Sequence, residues 1–150
     1  MNDVKLFIGS DYHGFEKKTA LIQYLQNNGF EVVDKGTFDD SEDDYNEPAL
    51  AVAKSVKETE NGFGILICGS AHGMCIQANR EKGIRAVNAF SSDSARLGRE
   101  HDDANIVCLS AELTDLESMK DIVNTFLNTR FEPIERRVRR IRKLDEEVYD

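Results

Sequence analysis

The run Phe63-Gly64-Ile65-Leu66-Ile67-Cys68 constrains this chain more than any other segment. It carries no charge and no polar alternation, so a strand formed there is covered on both faces, as in the middle of a parallel sheet. Parallel neighbours need crossover connections of a dozen or more residues, usually helical. The rest of the sequence supplies them. Val4-Lys5-Leu6-Phe7-Ile8 reads as a strand, followed by a helix over about 14–28 with Gly29 as its stop. Residues 30–33 read as a second strand, and Ala49, Val52, Ala53 and Val56 give the next helix its apolar face. A helix over about 70–81 follows the central run, then a strand at 84–87. Ser91 or Ser92 caps a helix to about 100, and Ile106-Val107-Cys108-Leu109 is the fifth strand.

Thr114-Asp115-Leu116-Glu117 is a capping box opening a helix whose face is Leu116, Met119, Ile122, Val123, Phe126 and Leu127. Pro133 stops and restarts the chain. Ile134, Val138, Ile141, Leu144 and Val148 then stripe a final basic helix over about 133–148, burying one face and turning its arginines outward. Five strands alternating with helices predict one α/β domain over residues 1–150, a Rossmann-like three-layer sandwich around a five-stranded parallel sheet. No repeat or linker interrupts it. The acidic patch at 39–44 reads as a solvated loop.

A chain of 150 residues is long enough for one such core. Its net charge of -9 is unevenly spread: residues 130–150 sum to +1 and the remainder to -10. An acidic body repels a phosphate backbone, which excludes general nucleic-acid binding. No stretch approaches the roughly 18 apolar residues of a membrane span. Residues 1–4 lack the basic start and apolar core of a signal peptide. Three cysteines, an odd number without framework spacing, indicate reduced thiols in a cytoplasmic protein. Arg136, Arg137, Arg139, Arg140, Arg142 and Lys143 fall within eight residues free of acids. They read either as a solvated helix face or as a site for a small anion or an acidic surface.

Ligands of open parallel sheets bind at the carboxyl ends of the strands, and two such ends are unusually loaded. The first strand runs into Gly9-Ser10-Asp11-Tyr12-His13-Gly14 and the third into Cys68-Gly69-Ser70-Ala71-His72-Gly73. The remaining histidine opens His101-Asp102-Asp103-Ala104-Asn105 ahead of the fifth strand. Gly69 and Gly73 allow backbone N–H groups to converge beside Cys68, an arrangement that lowers a thiol pKa and holds an oxyanion. A thiolate there serves as nucleophile, general base or metal ligand; the plainer reading is a buried cysteine ending an apolar strand. Spacing removes several rivals. A Cys-x5-Arg phosphatase loop needs arginine where Met74 stands, and Gly9 to Gly14 continues Phe15-Glu16 instead of Lys-Ser/Thr. No Gly-x-Gly-x-x-Gly follows the first strand. Cys68, His72 and Cys75 match no common zinc spacing, so no metal is expected.

Gly-Ser-Asp-x-x-Gly-Phe at 9–15, Val-Val-Asp-Lys-Gly-Thr at 32–37 and Asp44-Tyr45 resemble the ribose-5-phosphate isomerase B family. So do Ile-Leu-Ile-Cys-Gly-Ser at 65–70, Ala-Asn at 78–79, Gly-Ile-Arg-Ala-Val at 83–87 and Arg-x-His-x-Asp-Ala-Asn at 99–105. The family includes both subunits of galactose-6-phosphate isomerase, and the match runs in order from about residue 5 to 143. The resemblance implies a cofactor-free aldose–ketose isomerase of a phosphorylated sugar, foremost ribose 5-phosphate to ribulose 5-phosphate. It also implies a homodimer, or a tetramer built from one, whose sites use both subunits. Carried across, Cys68 moves the proton between C1 and C2. Gly69, Ser70, Ala71, His72 and Gly73 hold the enediolate, His101 opens the sugar ring, and Asp11 and Tyr45 contact hydroxyls.

The departures fall at the site. The family's Asp-His-Ala-Gly is Asp11-Tyr12-His13-Gly14 here, an order resembling one galactose-6-phosphate isomerase subunit, so Tyr12 and His13 are both candidate substrate ligands. Ala71 replaces a glycine and Asp102 the asparagine after the ring-opening histidine. Glu112 stands where a phosphate-binding arginine is expected, which leaves Arg137 or Arg139 for the phosphate. The alternatives are a galactose-6-phosphate isomerase-like subunit, an isomerase of another sugar phosphate, or a non-catalytic sugar-phosphate binder. A binder needs neither the thiol nor the ring-opening histidine.

Overall fold

The apolar run sits where its composition demands, in the middle strand of a five-stranded sheet. The computed structural model describes residues 3–146. Its strands are β1 (Lys5–Ser10), β2 (Glu31–Asp34), β3 (Gly62–Cys68), β4 (Ala86–Asn88) and β5 (Ile106–Ser110). The order is β2-β1-β3-β5-β4 and every pairing is parallel. The helices are α1 (Phe15–Asn27), α2 (Asn46–Glu58), α3 (His72–Ala78), α4 (Ser92–Asp102), α5 (Leu116–Asn128) and α6 (Glu135–Lys143). Because successive side chains of β3 point to opposite faces, Ile65 and Ile67 meet α1, α4 and α5, while Leu66 and Cys68 meet α2 and α3. Burial on both faces gives the three layers. The chain leaves β1 in one direction and β3 in the other, so the crevice between their carboxyl ends is a topological switch point.

Local chemistry moves several boundaries. Helix α3 is shorter than its periodicity suggests. Ala71 ahead of it takes a left-handed φ of 74°, and the Asn79 side chain leaves the helix to bond the backbone of Ala86 at both N–H and C=O. Strand β4 starts late because the Arg85 N–H goes to the Asn105 side chain instead of a neighbouring strand. Ser91 is the cap of α4, and α4 continues through Asp102, placing His101 in a helix instead of a loop. Helix α6 corrects the expectation of a face buried against the body. None of its residues is buried, and Ile134 and Leu144 flanking it are exposed. Val148 and the far end of the expected 133–148 helix lie outside the described residues.

Candidate active site

An open cavity of about 270 Å³ lies at the switch point. Asp11 and His13 reach it from the end of β1, and Cys68, Gly69, Ser70 and Gly73 from the end of β3. Tyr45 joins them from the start of α2 and Glu112 from just beyond β5. Asp11 is buried and shaped by its own turn: Oδ1 accepts the Gly14 N–H at 3.0 Å, and Oδ2 lies 3.3 Å from His13 Nδ1. Gly14 must be glycine, since a Cβ there would stand 2.5 Å from the Ile67 carbonyl oxygen. At Gly73 the neighbour is a side chain instead, the Tyr45 ring, 2.8 Å from the place a Cβ would occupy. The absence of that carbon lets the ring lie across the loop.

Cys68 ends β3 with 4% of its surface exposed. The N–H groups of Met74 and Ala71 point at its sulfur, as the glycine pattern anticipates, but the thiol pKa moves up and not down. Burial is the largest cause, and the negative charges of Asp11 and Cys75 reinforce it against those two donors. Expecting a lowered thiol from the loop alone left out desolvation, which disfavours the charged form. The loop itself is firmly held. Gly69 C=O accepts from Ser110 Oγ at 2.6 Å and from the Glu112 N–H at 3.1 Å, and Ala111 N–H donates to Cys68 C=O at 2.8 Å. Lys17 in turn clamps the β5–α5 connection through the carbonyls of Ala111 and Thr114, at 2.6 and 2.8 Å.

The other expected ligands are placed differently. Tyr12 turns its ring onto His13, centroids 4.0 Å apart, while its N–H donates to Asp43. It does not line the cavity, and His13 does. Ala71 is buried beneath the loop with its N–H toward Cys68. His72 is exposed, and its ring is bonded to the Asn88 side chain at 3.0 Å, toward the end of β4. His101 and Asp102 lie in the last turn of α4, at the amino end of β5, whereas Cys68 pairs with Ser110 at its carboxyl end. A five-residue strand separates the two, roughly 13 Å. Within one chain they cannot meet.

The two tail arginines also differ. Arg137 is mostly covered, 12% exposed, and its guanidinium reaches Glu132 Oε2 at 2.9 Å and Glu100 C=O at 3.3 Å. Arg139 is 48% exposed, pairs among the described residues with Glu135 one turn away, and borders a cavity of about 420 Å³ with Val138 and Arg142. Sequence reasoning missed Ser110 and Lys17, and read Glu112 as a lost arginine without placing it in the cavity. The signal was available: β5 neighbours β3, so the residues just after it fall at the same carboxyl edge.

The ribose/galactose isomerase family matches residues 6–144. The chain belongs to that family. Its relatives include the probable ribose-5-phosphate isomerase B of Mycoplasma genitalium, 42% identical over 130 residues and covering 85% of each chain. The Escherichia coli ribose-5-phosphate isomerase B is 39% identical over 128 residues, 85% of this chain and 86% of that one. Among solved structures, ribose 5-phosphate isomerase B of Thermotoga maritima has a TM-score of 0.92 at 44% identity, covering 95% of this chain and 98% of that one. The M. genitalium enzyme with bound ribulose 5-phosphate gives 0.89 at 39% identity, covering 95% and 94%. These likenesses extend over nearly the whole sandwich.

Proposed function

We propose that this chain is an aldose–ketose isomerase that interconverts ribose 5-phosphate and ribulose 5-phosphate. The observation that carries the reading is the likeness, over nearly the whole chain, to a family member whose structure holds ribulose 5-phosphate. The cavity supplies chemistry of the right kind. Cys68 thiolate removes the proton from C2 of the open-chain aldose; the C–H pair becomes the C1=C2 bond, and O1 gains charge and then a proton. The enediol then loses the proton on O2, the thiol returns its proton to C1, and the ketose forms. Ser70 and the N–H groups of the 69–73 loop stand beside the developing oxyanion, where preorganised donors lower the barrier most. Asp11, His13 and Tyr45 line the space for the sugar hydroxyls.

His101, Asp102 and Arg139 belong to this reaction only if a second copy of the chain brings them to the cavity. The reading is therefore a homodimer with shared sites, in which His101 protonates the ring oxygen and Arg139 holds the phosphate. Two features support it: the distance between the two edges of the sheet, and a helix α6 without a buried residue. Free, buried thiols at Cys68, Cys75 and Cys108 fit a reducing cytoplasm, and no helix among the described residues is long and apolar enough to cross a membrane. Purified protein incubated with ribose 5-phosphate, with ribulose 5-phosphate followed by its absorbance, tests the activity; galactose 6-phosphate under the same conditions tests the nearest alternative. Product from neither sugar would overturn the reading.

A further inference from the structure

Glu112 is a charged group in the cavity that the proposed reaction does not use. Its Oε1 lies 3.2 Å from the point where a Cβ on Gly69 would stand, and His13 Nδ1 lies 3.6 Å from the same point. The carboxylate therefore overhangs the floor of the site, beside His13, which is already in contact with Asp11. Its backbone is fixed by the N–H bond to Gly69 C=O, so the side chain is aimed by the same strand end that holds the loop. Among the described residues the carboxylate makes no ion pair or hydrogen bond, and no lysine or arginine lines the cavity. Lys17, the cation on the neighbouring turn, spends its donors on two carbonyls.

A carboxylate accepts hydrogen bonds and gives none. A phosphate dianion set against Glu112 and Asp11 would meet two like charges with no cation between them. A chain of sugar hydroxyls would meet two acceptors and lose nothing. We propose that Glu112 is a specificity-determining residue that accepts a hydroxyl of the open-chain sugar and keeps the phosphoryl group out of this cavity. The substrate phosphate then lies beyond the rim, toward cations the cavity does not contain. This deepens the isomerase reading above and rests on it.

The test is steady-state kinetics of Glu112→Ala and Glu112→Gln with ribose 5-phosphate, together with competitive inhibition by inorganic phosphate. Losing one hydrogen bond to a charged acceptor should raise KM about tenfold or more in the alanine variant. Glutamine, which keeps an acceptor oxygen, should fall between alanine and wild type. kcat should change less than threefold, the pattern of lost uniform binding, and inorganic phosphate should inhibit the alanine variant more strongly than wild type, because the charge that repelled it is gone. A lower KM would overturn the proposal, because it would mean the carboxylate repels the bound sugar instead of accepting its hydroxyl, and unchanged inhibition by phosphate would overturn the exclusion. An unchanged KM would overturn it as well. Should wild-type protein fail to isomerise ribose 5-phosphate, the isomerase reading fails by itself. The role of Glu112 is then read from unphosphorylated ribose, by saturation-transfer NMR: binding lost in Glu112→Ala supports it and equal binding in both proteins refutes it.

Discussion

Replacing Cys68 by serine separates the proton-transfer role from every structural one. The sulfur is nearly buried at the end of β3, and the Met74 and Ala71 N–H groups that point at it would still find an acceptor in a hydroxyl. Serine is slightly smaller, so the fold should lose no more than about 1 kcal/mol. The loss in rate should be far larger, about 10²–10⁴, the usual contribution of a positioned base. The structure adds a pH signature. An ordinary thiol titrates near about 8.5, and burial, aided by Asp11 and Cys75, pushes Cys68 up from its usual range. At pH 7 the thiolate is then below about 3% of the free enzyme, and it grows about tenfold per pH unit until the raised pKa is passed. Ribulose 5-phosphate is open-chain, so its enolisation does not wait on ring opening by His101. Because kcat/KM reports groups of the free enzyme, the logarithm of kcat/KM for ribulose 5-phosphate should climb with a slope near one from about pH 6.5 to 8.5. Initial rates of ribulose 5-phosphate consumption across that range, for wild type and Cys68→Ser, are the measurement. A flat wild-type profile, or a serine variant keeping a tenth of the rate, would refute the assignment.

Arg137→Ala should cost about 1–2 kcal/mol in urea unfolding while leaving KM within twofold, since its guanidinium is committed to Glu132 and Glu100. Arg139→Ala should do the reverse, with stability unchanged and KM raised severalfold; a large KM effect at Arg137 instead would reassign the phosphate. Lys18 is wholly buried, bonded to Asp34 Oδ1 at 2.7 Å and to the Thr37 carbonyl. Lys18→Met should destabilise by about 1–3 kcal/mol, measured by urea unfolding, because the Thr37 carbonyl and the Asp34 carboxylate lose a charged donor. Ala71→Gly should stabilise by about 0.5–1 kcal/mol, measured by thermal unfolding, since a φ of 74° strains an L-residue but not glycine.

Strands and their order of appearance were legible because each is a short apolar run, and burial on two faces leaves little else for such a run to be. What periodicity could not locate was the ends of α3 and α4. Those are decided by particular side chains: Asn79 leaving its helix for Ala86, and Asp103 in a left-handed turn where Arg85 and Arg99 both bind its carboxylate. The motif at 101–105 thus divides. Asp103 and Asn105 are structural, Asn105 spanning Arg85 N–H and Gly83 C=O, while His101 and Asp102 take no part in these bonds. Of the stripe expected on the last helix, Val138 and Ile141 fall within α6 while Ile134 and Leu144 flank it. Periodicity says that a face wants cover but not which molecule provides it, and the described residues leave this one only partly covered.

The site followed a different rule. Residues contributed by the local loops after β1 and β3 were visible as sequence, because the turn chemistry that builds them is written in consecutive positions. Glu112 was visible only as a missing arginine, since its nearness to Gly69 depends on β5 lying beside β3, an order that no local pattern encodes. The direction of the Cys68 shift was misread for the same reason. Donors near the sulfur are local, but desolvation comes from the helix layer packed over it, where Met74 and Cys75 share its buried cluster with Cys108 of the sheet. A pKa is a property of everything that surrounds a group, so the balance between two N–H donors and a closed apolar layer could be drawn only from the folded chain. In the proposed reaction that balance makes the thiol a base held in reserve, protonated at rest and competent in the small fraction that ionises, and it is why the slope of kcat/KM against pH tests the fold as much as the chemistry.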